Sequence, residues 1–310
     1  MSRSALVVGI DSYPRTPLNG CVSDAKAIGR SLARHHDQGL NFQVDTLLSS
    51  EAAVTHQALA DRVERLFERK NDVTVFYFAG HGARHAQEGY LLSQEEKPRT
   101  GLSMTELMRI ADASPAKERV IILDSCHAGA ASDFAPSGLE PGVAVLAGCG
   151  GNEKAVEAGG RGLFTRHVCD ALDGGAADVR GFVTIASVFA YMNEVLTVHE
   201  QAPMLHANWR ELTKLRRAVP SVSDDHLRRI TGFFSRAGDA LQLDPSYEPT
   251  ADPNHPENEA SFGILQAYRA ARLLEPVGVP HMYDAAMQSL TCQLTPLGRF
   301  YWRSVDKGLI

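Results

Sequence analysis

The sequence predicts an α/β fold in which a largely parallel β-sheet is covered by helices on both faces. The chain has 310 residues, of which 44% are hydrophobic and 22% are charged, so it can bury a full core. Short apolar runs alternate with segments of helical period. Several runs are too continuously apolar to face water on one side, which is typical of the central strands of a parallel sheet.

Five apolar runs have the length and composition of β-strands. They cover residues 5–10, 42–47, 73–79, 120–123 and 143–147. Capping residues between these runs predict where helices begin. Thr55 can cap a helix whose apolar stripe spans residues 59–67, Ser103 and Glu106 form a capping box, and Thr184 precedes an apolar helical face at 185–196.

A second domain is predicted from the change in composition near Pro220. Residues 244–256 are rich in Pro, Asp, Glu and Asn, which indicates an exposed loop. Helical patterns follow at 225–241, 262–274 and 282–290, and Thr295-Pro296 is a helix start with proline at the first helical position. We therefore expect the chain to divide into a larger domain over residues 1–219 and a small, mainly helical domain over 220–310, with a winged helix as one option.

Charge and cysteine content exclude several classes of function. The formal net charge is −6 and the pI is about 6.1, and residues 221–310 carry 8 Lys and Arg against 11 Asp and Glu. Nucleic acid and anionic membranes both require clustered cations, so neither is predicted as a partner, and protein contact is expected for the C-terminal domain.

The five cysteines are far apart and form no C-x-x-C pair, which predicts neither disulfides nor zinc. The apolar run at 5–10 is too short for a signal or a span, so a cytoplasmic location is expected.

Two segments share one layout, an apolar strand followed by small residues and a reactive side chain. His81 follows the strand at 73–79, and Cys126 follows the strand at 120–123. Because the carboxyl ends of neighbouring parallel strands meet at one edge of a sheet, the two side chains are expected to share a crevice. An imidazole can take the thiol proton and later return it to a leaving amine. The pair therefore predicts nucleophilic catalysis by Cys126 with His81 as acid and base.

The glycines on either side of His81 fit the same chemistry. Gly80 and Gly82 allow a tight turn without a Cβ, and the N–H of Gly82 can point at an oxyanion, with the N–H of Cys126 as second donor. A lone Cys or His is more often a buried structural residue, and it is the combination that favours catalysis. His127 is disfavoured as base because adjacent side chains diverge, and His85 is expected in a loop four residues beyond His81.

These segments resemble the caspase-like peptidases, and among them the metacaspases and their bacterial relatives rather than animal caspases. Metacaspases carry G-H-G and D-S-C-H-S-G after successive strands, and this chain has GHG at 80–82 and DSCHAG at 124–129. The segment LNGCVSDA at 18–25 resembles L-x-G-C-x-x-D-A, and residues 153–157 and 162–165 resemble E-x-A-x-E and G-x-F-T. The resemblance covers residues 5 to about 200 and implies a cysteine endopeptidase that acts through an acyl-enzyme.

The resemblance also implies a pocket for the residue before the scissile bond. It places Asp24 and Asp124 in the pocket wall, together with Cys21 and with Ala79, which stands where the family often has serine. Two carboxylates favour Arg or Lys, and Asp124 would repel the aspartate that animal caspases hold with arginines. Two structural alternatives remain: Asp24 as a helix N-cap, and Asp124 as an acceptor from nearby loop N–H groups.

Cofactor and role are less constrained by the sequence. Many metacaspases bind calcium through clustered aspartates after the histidine, whereas residues 87–97 contain glutamates and no aspartate. No cofactor is predicted, and calcium dependence stays open. The resemblance implies a regulated effector in a bacterial stress or defence pathway, triggered by a protein partner of the C-terminal domain or by clipping near Arg161. Two other functions are retained, a catalytically silent scaffold that recruits partners and a thiol acyltransferase.

Overall fold

A computed structural model describes residues 2–85, 88–95, 101–125, 138–148, 157–158, 161–196, 203–253 and 255–310. The chain divides into two compact units. The first unit comprises Met1–Ala177 and Phe182–Val219, and the second comprises Asp178–Gly181 and Pro220–Ile310.

The first unit is built on a central six-stranded sheet. In chain order its elements are β1 (Arg3–Gly9), α1 (Cys21–Ala33), β2 (Gln43–Leu48), α2 (His56–Phe67), β3 (Val73–Ala79), β4 (Gly82–His85), β5 (Glu88–Leu91), β6 (Leu102–Ser103), α3 (Met104–Asp112), β7 (Glu118–Asp124), β8 (Val143–Ala147), β9 (Glu157–Ala158), β10 (Arg161–Gly162), α4 (Leu163–Asp170), a π-helical turn (Ala171–Gly175), β11 (Phe182–Thr184), α5 (Ile185–Leu196), β12 (Met204–Asn208) and β13 (Lys214–Arg217).

The central sheet has the strand order β12-β8-β7-β3-β1-β2. Five strands are parallel, and β12 pairs antiparallel with β8 at one edge. All five strands expected from the apolar runs are present, and the expected α/β class is confirmed. The edge strand β12 and the small antiparallel sheets β4-β5-β6, β9-β10 and β11-β13 were not predicted.

Helices cover both faces of the sheet. Successive residues of a strand point to opposite faces, so the apolar strands pack against helices on both sides. On one face Val7 and Tyr77 pack with residues of α1, α4 and α5, and on the other Leu6 and Phe76 pack with residues of α2 and α3. The residues of β3 are buried along the whole strand, as expected for a central parallel strand.

Two helices of the first unit, α2 and α3, begin with side-chain caps. Thr55 accepts a hydrogen bond from the N–H of Ala58, and Ser103 accepts one from the N–H of Glu106, as the sequence predicted. The start of α1 is different, because its N-cap position is Gly20, which has no side chain. A distant residue, Asp11, accepts from the N–H groups of residues 20–22 at 2.8–3.3 Å.

The second unit contains helices and a small antiparallel sheet. Its elements are α6 (Asp224–Arg228), α7 (Ile230–Phe233), β14 (Ala240–Gln242), a 3₁₀ turn (Pro245–Tyr247), α8 (Pro256–Ala270), β15 (Leu274–Pro276), α9 (Met282–Met287), β16 (Thr291–Leu294) and α10 (Pro296–Asp306). Helix α8 overlaps the predicted pattern at 262–274 but begins at Pro256, and α9 lies within the pattern at 282–290. The pattern at 225–241 is only partly helical, because α6 and α7 are followed there by the start of β14. Thr295 caps α10 through the N–H of Gly298. The sheet, ordered β14-β16-β15, was not predicted. No helix among the described residues of either unit is long and apolar enough to cross a membrane.

Candidate active site

The candidate site lies where β3 and β7 end at the same edge of the sheet. In this parallel pair Ala79 is the register partner of Asp124, and Gly9 of β1 is the partner of Ala79. The N–H of Gly80 extends the pairing to the carbonyl of Asp124 at 3.4 Å. His81 therefore follows β3 by two positions, and Cys126 occupies the equivalent position in the sequence after β7. Cys126 and His127 lie outside the described residues.

The imidazole of His81 is oriented by a backbone carbonyl. Its Nε2 lies 2.6 Å from the carbonyl oxygen of Thr16, in the segment between β1 and α1. Because a carbonyl oxygen only accepts, Nε2 carries the proton in this hydrogen bond. In the neutral ring the basic nitrogen is then Nδ1. A histidine held this way can accept a proton at Nδ1 without losing its orientation.

Tyr13 supports the backbone and the ring of His81. The phenolic oxygen accepts a hydrogen bond from the N–H of His81 at 2.9 Å and donates one to the carbonyl of Leu92 at 3.0 Å. The two rings lie with centroids 4.5 Å apart. Tyr13 also explains why residue 80 is a glycine, since a Cβ there would lie 2.5 Å from the phenolic oxygen. Close packing, rather than a left-handed backbone angle, requires glycine at this position.

Gly82 begins β4 in an orientation that leaves its N–H outside the ladder with β5. Gly82 is paired with Leu91, and the neighbouring N–H of Leu92 donates to the carbonyl of His81 at 2.9 Å. In an antiparallel ladder, this bond makes Gly82 and Leu91 a non-hydrogen-bonded pair. The N–H of Gly82 therefore points away from β5.

Asp24 does not cap α1, so the structural alternative for this residue is wrong. The cap is Asp11, whose carboxylate takes the first N–H groups of the helix. The side chain of Asp24 is 2% exposed, and its Oδ2 accepts a hydrogen bond from the N–H of Gly162 at 2.9 Å. Asp24 thus links the first turn of α1 to the start of α4.

Asp124 lies beside Asp24 at the same glycine. A Cβ on Gly162 would lie 2.7 Å from Oδ2 of Asp124 and 3.1 Å from Oδ2 of Asp24, so the two carboxylates face one point. Oδ2 of Asp124 also accepts from the hydroxyl of Thr165 at 2.5 Å, and that hydroxyl lies 2.5 Å from the phenolic oxygen of Tyr77.

The two carboxylates influence the groups around them. Burial raises the pKa of Tyr77 well above its ordinary value, and the negative charges of Asp124 and Asp24 raise it further. Tyr77 is therefore a protonated donor. Two carboxylates converging on one point form a site suited to a cation.

The remaining predicted pocket residues occupy different positions. Cys21 is the first residue of α1, half-buried, and close enough to Tyr77 to affect the pKa of the phenol. Ala79 is 1% exposed and belongs to the core beneath the site.

His85, the other histidine considered as a base, is exposed at the far end of β4, so the expectation that it lies in a loop is wrong. Among the described residues no three His, Cys, Asp or Glu side chains form a group that could hold a metal ion.

A family model described as the caspase domain matches residues 2–215, well over half of the chain. This chain belongs to the caspase-domain family. The match covers the first unit, including His81 and both acids of the site, and ends before most of the second unit. Since the family consists of cysteine peptidases, the caspase domain indicates a hydrolase that acts on protein substrates.

Solved structures support the same fold for the caspase domain. Protein GSU0716 from Geobacter sulfurreducens has a TM-score of 0.54 and 16% identity, and the match covers 71% of this chain and 100% of that one. Caspase-1 from Spodoptera frugiperda has a TM-score of 0.53 and 12% identity, with 69% and 90% covered. At such identities the likeness concerns the fold alone. No curated protein matches the sequence.

Proposed function

We propose that this protein is a metacaspase-type cysteine endopeptidase that cleaves after Arg or Lys, with Cys126 as nucleophile and His81 as acid and base. The observation that carries the proposal is the position of His81 and of the Asp24–Asp124 pair at one edge of the sheet, where β3 and β7 are in register. A proton acceptor and a site for a cation therefore adjoin the strand end that leads to Cys126.

The proposed reaction begins with transfer of the Cys126 thiol proton to Nδ1 of His81. The sulfur attacks the substrate carbonyl carbon, and the resulting oxyanion accepts hydrogen bonds from the N–H groups of Gly82 and Cys126. Collapse breaks the peptide bond, and His81 returns the proton to the leaving amine. Water then attacks the thioester with His81 as base, which releases the new carboxyl end and restores the thiol. The bond from Nε2 to Thr16 fixes the ring throughout.

The specificity follows from the charge of the pocket. The carboxylates of Asp24 and Asp124 converge beside Gly162, so a guanidinium or ammonium group placed there gains two opposite charges at close range. A substrate aspartate would meet like charges instead. Cys21 stays a proposed member of this pocket, and Ala79 a proposed part of its wall.

The central experiment compares fluorogenic peptides that differ only in Arg, Lys or Asp before the cleaved bond. We expect turnover of the Arg and Lys peptides, and loss of activity on the order of 10³-fold or more in Cys126→Ala and His81→Ala. His85→Ala is the matched control and should retain activity, because His85 lies exposed at the far end of β4. Retained activity in Cys126→Ala or His81→Ala would refute the assignment.

The acid pair is tested by Asp124→Asn and Asp24→Asn. We expect both to lower kcat/KM for the Arg peptide far more than for its neutral isostere, a citrulline peptide. An unchanged preference for the Arg peptide over the citrulline peptide in both variants would contradict the proposed role of the acid pair.

The same assays with calcium or a chelator decide metal dependence, and we propose that no metal is required. A protein that cleaves none of the peptides but retains its fold would favour the catalytically silent scaffold, and turnover only with an added acyl donor would favour an acyltransferase.

We also propose that residues 220–310 form an interaction domain that regulates the peptidase, as in an effector of a bacterial stress or defence pathway. The support is the separate core of the second unit, which lies almost entirely beyond the family match. Intact mass after incubation, compared with Cys126→Ala, shows whether the chain clips itself near Arg161. A full-length chain that is maximally active alone and never clipped would argue against such regulation.

A further inference from the structure

We propose that Thr165 is a positioning residue for substrate specificity, because its hydroxyl fixes the carboxylate of Asp124 and is itself oriented by Tyr77. This inference rests on the proposed cleavage after Arg or Lys. It adds two residues, one on α4 and one on β3, that act through Asp124 and are not expected to touch the substrate.

The direction of the hydrogen bonds follows from the chemistry of the three groups. A carboxylate accepts only, so the 2.5 Å contact between Thr165 and Asp124 uses the single hydroxyl proton of Thr165. Thr165 must then accept in its 2.5 Å contact with Tyr77, and the phenol donates. The chain therefore runs from Tyr77 through Thr165 to Asp124.

Burial makes this chain rigid and costly to break. Thr165 is 1% exposed, and Tyr77 is fully buried within the core on the α1 and α4 face of the sheet. Water cannot replace the missing partner easily at such positions, so each hydroxyl depends on the next. Hydrogen bonds that end on a charged group are also stronger than neutral ones.

Fixing one oxygen of Asp124 decides the direction from which a cation can approach. The second acid is fixed independently, since Oδ2 of Asp24 accepts from the N–H of Gly162. Two carboxylates held in set orientations favour the planar, forked guanidinium of Arg over the ammonium of Lys, which acts as a point charge. Thr165 is therefore expected to contribute more to recognition of Arg than of Lys.

The test uses Thr165→Val, which replaces the hydroxyl by a methyl group of similar size, and three peptides with Arg, Lys or citrulline before the cleaved bond. We expect kcat/KM for the Arg peptide to fall on the order of tenfold, mainly through KM. The Lys peptide should be less affected and the citrulline peptide unaffected. Thr165→Ser keeps the hydroxyl and should restore the Arg peptide to within about twofold of the wild type.

The outcomes separate this inference from the proposed function. A parallel loss for all three peptides would indicate a structural defect and overturn the inference, as would an unchanged preference for Arg. If Thr165→Val fails to fold, Tyr77→Phe applies, because it leaves both Thr165 and Asp124 in place and removes only the donor to Thr165. An Arg-selective loss in Tyr77→Phe supports the inference, and a uniform or absent loss overturns it. A wild-type protein that cleaves no Arg or Lys peptide refutes the proposed function itself.

Discussion

The phenolic oxygen of Tyr13 links two segments of the site, since it accepts from the N–H of His81 and donates to the carbonyl of Leu92. Its ring packs against the imidazole as well. Tyr13 follows β1, whereas His81 and Leu92 flank the β4–β5 hairpin. One side chain therefore holds the candidate base, the hairpin and the segment that carries the carbonyl of Thr16 in a common arrangement.

Replacing Tyr13 by Phe should lower kcat roughly 2- to 10-fold, which corresponds to a neutral hydrogen bond. The ring contact persists in this variant, but the N–H of His81 loses its acceptor. KM should change less than twofold because the acid pair is untouched. Steady-state kinetics with an Arg peptide checks this, with Tyr90→Phe on β5 as a matched control. A rise in KM without a change in kcat would contradict a role in holding His81.

Gly80→Ala should impair catalysis more strongly than Tyr13→Phe. The new Cβ would lie 2.5 Å from the phenolic oxygen of Tyr13 and 3.0 Å from the ring of Phe78, so the residue before His81 must shift. Combining Gly80→Ala with Tyr13→Phe removes the first clash. We expect the double variant to be more active than the product of the two single effects predicts. Simple multiplication of the effects would show that the two positions are independent.

The sequence predicted the sheet better than the site around it. Continuous apolar runs define β1, β3, β7 and β8 because their burial on both faces leaves a strong local pattern. The three-stranded sheet of the second unit was missed because its strands have only three or four residues, which is too short for a clear period.

Within the site, the sequence could identify reactive residues but not their partners. His81, Asp24 and Asp124 were predicted from strand ends and from the resemblance. Asp24 accepts a hydrogen bond from the N–H of Gly162, 138 positions away, and no local pattern can predict such a contact. Asp11 was missed as a cap for the same reason, since capping rules consider only the residues next to the helix start. Thr165 lies in the segment 162–165 that resembles the G-x-F-T motif of metacaspases, but its role depends on a contact with Asp124 that only the fold creates.

Gly162→Ala should reduce cleavage after Arg while the fold is retained. The added Cβ would lie 2.7 Å from Oδ2 of Asp124 and 3.1 Å from Oδ2 of Asp24, so at least one carboxylate must move. We expect kcat/KM for an Arg peptide to fall on the order of tenfold relative to a citrulline peptide. Gly263→Ala in α8 is the matched control, because a Cβ there meets no atom within 4 Å. Equal losses in both variants would exclude a specific effect on the acid pair.

Cys292 should resist alkylation in the folded protein. It is fully buried in the second unit, and burial raises the pKa of its thiol to about 12. Since the thiolate is the reactive form, labelling by iodoacetamide at pH 8 should be on the order of 10³-fold slower than for an exposed thiol. Cys21 and Cys169 are half-buried and provide internal references when peptides are analysed by mass spectrometry.

Thr295→Ala turns the labelling of Cys292 into a measure of local stability in the second unit. Thr295 follows β16, which contains Cys292, and caps α10 through the N–H of Gly298 at 3.1 Å. Loss of such a cap costs about 0.5–2 kcal/mol of unfolding free energy. If Cys292 reacts only when this part of the unit opens, that loss of free energy should accelerate its labelling by roughly 2- to 30-fold. Labelling of Cys21 should stay constant. Labelling of Cys292 in the wild type at the rate of Cys21 would show instead that the thiol is accessible without opening.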